Sequence, residues 1–102
     1  MGHAYQFKFC ESVPIEAVEE SMGLAILAIQ SLHGESLTRL EARHHLDLEA
    51  ARCVVDAQTG VGEDLARVFT GFCTHQFGPT GFTVHVADRI SLPPHLSNPS
   101  SN

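Results

Sequence analysis

Apolar side chains change their spacing along this chain, and the order of those changes is the strongest constraint on what it can fold into. Residues 4–10 alternate, with Tyr5, Phe7 and Phe9 on one face and Gln6, Lys8 and Cys10 on the other, the pattern of a half-buried strand. The spacing then lengthens to three and four. Ile15, Val18, Met22, Ala25, Ile26, Ile29 and Leu32 form one stripe of a helix. That helix is expected to open at Ser12-Val13-Pro14, with Ser12 as the capping hydroxyl, and to end near Gly34 with His33 in its last turn.

Alternation returns over residues 37–46, predicting a second strand with Leu40, Ala42, His44 and Leu46 inward and Arg39, Glu41, Arg43 and His45 outward. A hairpin loop at 47–50 leads into a third strand at 52–57, with Cys53 and Val55 inward. Thr59-Gly60-Val61-Gly62 opens a second helix that buries Val61, Leu65, Val68, Phe69, Phe72 and either Gln76 or Phe77, and closes at Gly78. Gly71 lies inside that helix at a cost of about 1 kcal/mol relative to alanine, so it predicts a close approach by a neighbour. Residues 81–88 supply the last strand, with Phe82, Val84 and Val86 inward and Thr83 and His85 outward.

This order, β-α-β-β-α-β with one central hairpin, resembles the ferredoxin-like split βαβ motif. The resemblance covers residues 4–88 and concerns the fold alone. It implies an α+β domain in which a four-stranded antiparallel sheet, ordered 4-1-3-2, carries two helices on one face. Residues 1–88 are thus expected to form one domain, and residues 89–102, rich in Pro, Ser and Asn, a tail outside the core. Many unrelated functions share this fold, so function has to come from the residues.

Composition narrows the choice. The chain has 102 residues, 43% of them hydrophobic, which suits one packed domain and excludes a disordered one. A formal charge of −6 argues against a generic nucleic-acid binder, as does the inward placement of the aromatics, which leaves no stacking platform of the RNA-recognition kind. Cys10 is followed by Glu11-Ser12-Val13, so the Cys-x-x-Cys of heavy-metal-binding relatives of this fold is missing, and the same turn lacks the arginine-bearing glycine-rich loop of an acylphosphatase. Cys10, Cys53 and Cys73 are odd in number and widely spaced, neither a disulfide framework nor a zinc pattern. His44 and His45 are adjacent and point to opposite faces, so they cannot share one ion. No metal and no cofactor are expected. The first residues lack the build of a signal peptide, and 15–32 carries Glu16, Glu19 and Glu20, so a cytoplasmic chain without a membrane partner is expected.

What remains is the open face of the predicted sheet. It collects Lys8, Arg39, Arg43 and Arg52, four of the six cations, against Glu41 and Asp56, a net +2 on a protein of −6. His45 and His85 share it. Three readings stand: cross-strand ion pairs, an isologous homodimer, or a site for a small anionic ligand or protein partner built from Lys8, Arg39, Glu41, Arg43, His45, Arg52, Asp56 and His85. The function expected is that of a non-enzymatic module that homodimerises through this face. The alternative is a small dimeric, cofactor-independent enzyme with a histidine proton carrier, His44 or His85, in a cavity between sheet and helices. Strand addition along 37–46, blunted by Arg39, Glu41 and Arg43, is a further reading. Thr59-Gly60-Val61-Gly62 could hold an anion at a helix start, although Glu63 and Asp64 already answer the helix dipole there.

Overall fold

The computed structural model describes residues 3–87, and the tail expected at 89–102 lies outside them. Along the chain run β1 (Ala4–Phe9), α1 (Ile15–His33), α2 (Glu35–Glu41), β2 (His44–Asp47), β3 (Arg52–Asp56), α3 (Gly60–Phe77) and β4 (Phe82–Ala87). The four strands form one antiparallel sheet in the order β2-β3-β1-β4. The class is α+β, with three helices where two were expected.

The extra helix is the main correction. Residues 37–46 are not one strand. The first part belongs to α2, and only His44–Asp47 joins the sheet. Within Glu35–Glu41 only Thr38 is β-branched, and Glu35 and Arg39 pair across one turn at 3.8 Å, a spacing that only a helix brings together. Thr38 is buried by the turn, whereas Leu40, expected inward, is 69% exposed. Gly34 makes the corner between α1 and α2, at φ 87, a conformation that glycine adopts without a Cβ penalty.

The core lies between sheet and helices. Phe7, Phe9, Cys53, Val55 and Phe82 meet Val18, Met22, Ala25 and Ile29 of α1 and Val61, Leu65, Ala66, Phe69 and Cys73 of α3. Phe7 packs edge-on against Phe69 with ring centroids 4.9 Å apart. The predicted stripes hold through most of both helices, but Leu32, in the last turn of α1, is exposed. Gln76 is exposed and Phe77 half-buried.

Both caps are resolved in detail. Pro14, not Ser12, occupies the start of α1, which has no side-chain cap, whereas the Thr59 hydroxyl accepts from Gly62 N at 3.0 Å at the start of α3. The close approach predicted at Gly71 is absent, since a Cβ there would meet open space. It occurs instead at Gly62, where a Cβ would collide with the Asp56 carbonyl oxygen.

Candidate functional site

Strand register decides which of the predicted residues share a surface. On the open face, Asp47 stands opposite Arg52, Arg52 opposite Lys8 and Lys8 opposite Thr83, so one strip crosses all four strands. The next strip runs His45, Val54, Gln6, His85. His45 and His85 therefore lie three strand spacings apart, roughly 14 Å, on the two edges. Arg39 and Glu41 leave this face with α2. Asp47, expected in the hairpin loop, joins it, so the first strip sets Lys8 and Arg52 against one acid, Asp47.

The cross-strand ion pairs do not form. Among the described residues no acid lies within 4.0 Å of Lys8, Arg43 or Arg52; Arg39 pairs within its own helix, and Arg67 pairs with Glu63. Asp56 is buried and accepts from Gln58 N at 2.9 Å, so it shapes the turn into α3. It also lines, with Leu40, Glu41, Arg43, Gln58 and Thr59, a recess of about 320 Å³ between the end of α2 and the end of β3. Three of the predicted residues thus meet there, at the side of the sheet.

The two candidate proton carriers are separated. His44 pairs in register with Val55 on the helix side at the β2 edge, and His85 pairs with Gln6 on the open side at the β4 edge. Desolvation lowers the His44 pKa below the usual imidazole value, against the pull of the Ala42 carbonyl, with His45 adding a small lowering. Neither histidine lines the recess described above. Among the described residues no three His, Cys, Asp or Glu side chains lie close enough to hold a metal ion. Cys53 and Cys73 are buried, and loss of water pushes both thiols up to about 12.

A polar cluster that periodicity could not reveal sits on the helix side. The Tyr5 hydroxyl donates to Glu63 Oε2 at 2.8 Å, His3 Nε2 lies 3.1 Å from Glu63 Oε1, and Arg67 Nε donates to Glu63 Oε2 at 3.3 Å. Sheet and helix each supply half of it: Tyr5 comes from β1 and, one turn apart on α3, Glu63 and Arg67 fall on the same side. The Tyr5 hydrogen bond, helped by His3 and Arg67, holds the Glu63 carboxyl below its ordinary pKa despite partial burial. Donating that same bond raises the Tyr5 pKa, with burial and the Glu63 charge adding to it. The pair therefore stays as phenol and carboxylate through neutral pH. Beside it opens a cleft of about 430 Å³, lined by Tyr5, Glu63, Ala66, Arg67, Thr70 and Val84. The only sequence signals were a tyrosine at an inward position and an acid in a helix's first turn, both of which have ordinary structural explanations.

No helix among the described residues is long and apolar enough to cross a membrane. Comparison of the chain with known protein families, with curated proteins and with solved structures finds no match.

Proposed function

We propose that this chain is a non-catalytic module of the ferredoxin-like type that pairs with a second copy of itself through the open face of its sheet. Read from the β4 edge, the strand order is 4-1-3-2, which supports the ferredoxin-like assignment, with α2 as a short helix added to the crossover between α1 and β2. Against proton-transfer chemistry stand the separation of His44 from His85 and a Tyr5–Glu63 pair whose pKa values are pushed away from neutrality.

The observation that carries the pairing is the strip Asp47, Arg52, Lys8, Thr83. Lys8 and Arg52 stand directly opposite one another, a repulsive arrangement costing a few tenths of a kcal/mol, and no described acid pairs with either. A two-fold axis over β3 would set Asp47 above the partner's Lys8 and, by symmetry, Lys8 above the partner's Asp47, with the Arg52 guanidiniums stacked at the centre. In that offset each Lys8 meets an acid across the axis.

Gel filtration with light scattering tests the pairing. The expected particle is twice the 11.1 kDa chain mass in dilute buffer and dissociates at 1 M salt, where charges are screened within about 3 Å. Lys8→Glu is expected to give monomer, and adding Asp47→Lys to restore the dimer. Arg39→Ala, on α2, should leave it unchanged. A native chain that runs only as an 11.1 kDa monomer in the high-micromolar range removes the reading.

A further inference from the structure

We propose that the cleft between α3 and the β4 side of the sheet binds a small monocarboxylate with a compact apolar body, anchored by Arg67. The inference concerns the helix side of the sheet and is independent of pairing through the open face.

The ligand class follows from which polar groups in the cleft are still free. Tyr5 gives its hydroxyl hydrogen to Glu63. Thr70 gives its own to the Ala66 carbonyl at 2.7 Å. Glu63 already receives Tyr5, His3 and Arg67. Arg67 alone keeps unused donors: its Nε is held by Glu63, while its two terminal nitrogens have no partner among the described residues, and its side chain is 75% exposed. A guanidinium fixed at Nε presents its outer N–H pair as a fork that matches a carboxylate.

The rest of the lining is apolar. Ala66 and Val84 form the walls with the Tyr5 ring. Val86 stands opposite Tyr5 on the same side of the sheet and is 66% exposed, so apolar surface continues out of the cleft. A volume of about 430 Å³ lies at the low end of sites that hold small molecules. Because Glu63 shares the charge of Arg67, the expected dissociation constant is on the order of 1 mM.

The test is a titration of the full chain followed by ¹H–¹⁵N NMR, with phenylacetate as the probe. Saturable shifts are expected at the amides of Ala66, Arg67, Thr70 and Val84. Acetate, which has the charge without the body, should give no saturation at the same concentrations. Phenethylamine, which has the body with the opposite charge, should bind at least about 10-fold more weakly. Arg67→Gln should weaken phenylacetate by about 10-fold, with its own spectral changes confined to residues around Glu63 and the cleft, while Arg67→Lys should retain part of the affinity. The proposal is overturned if phenylacetate fails to saturate into the tens of millimolar, if phenethylamine binds as well, or if Arg67→Gln binds phenylacetate as tightly as the native chain.

Discussion

Replacing Tyr5 by Phe removes one hydroxyl and little else, so it isolates the 2.8 Å bond to Glu63. A hydrogen bond to a charged group contributes about 1.5–3 kcal/mol, and the Glu63 side chain, 25% exposed and still holding His3 and Arg67, places this one at the lower end, about 1.5 kcal/mol. Glu63→Gln removes the charge and also replaces one of the two acceptor oxygens with an NH2 donor, so it should itself cost about 1–2 kcal/mol, and the double variant should show a coupling of about 1 kcal/mol with Tyr5→Phe. In urea unfolding followed by circular dichroism, Tyr5→Phe should shift the midpoint by about 1 M at pH 7. The pH dependence follows from the Glu63 carboxyl, whose folded pKa lies below the ordinary 4.5. Its contribution is complete above the unfolded value and disappears as pH falls through the folded one. The native and Tyr5→Phe curves should therefore approach one another as pH falls below the ordinary carboxylate range. At the alkaline end the assay is clean, since Tyr5 is the only tyrosine and there is no tryptophan. Its ultraviolet titration should lie above 10.0 and move back toward it in Glu63→Gln. A Tyr5→Phe penalty that does not shrink as pH falls below the ordinary carboxylate range, or that is absent at pH 7, would refute the charge-assisted bond and with it the fixed geometry of Arg67.

Two glycines of α3 should respond in opposite directions. Gly62→Ala drives a Cβ into the Asp56 carbonyl oxygen, which the backbone can relieve only by moving, at about 2–3 kcal/mol and roughly 10 °C in melting temperature. Gly71→Ala enters open space in a helix interior and should stabilise by about 0.5–1 kcal/mol, as calorimetry would show. Thiol titration with a disulfide reagent at pH 8 should find one fast group in the native protein, the exposed Cys10, and three after denaturation; fast reaction of a second native thiol would contradict the packing of Cys53 and Cys73.

Strands and long helices were legible because burial on one side imposes a period, and Tyr5, Phe7 and Phe9 or Val18, Met22, Ala25 and Ile29 keep that period without help from the rest of the chain. Residues 37–46 read as one strand because alternation over a short segment fits both a strand and a helical turn; docking of α2, which buries Thr38, decides between them. That one change removed Arg39 and Glu41 from the sheet face. Gly71 and Gly62 were both visible as letters, but which of them faces a neighbour depends on the angle at which α3 meets the end of β3.

The amino-acid order alone therefore determined the α+β class and the core faces of β1, α1 and α3, since each depends on local periodicity. Register and helix docking decided the rest. Lys8 faces Arg52 because β1 and β3 align there, and Tyr5 reaches Glu63, 58 residues away, because α3 lies across β1. Contacts at such separations leave no periodic mark in a sequence, because they depend on how whole elements pack and not on the spacing within any one of them.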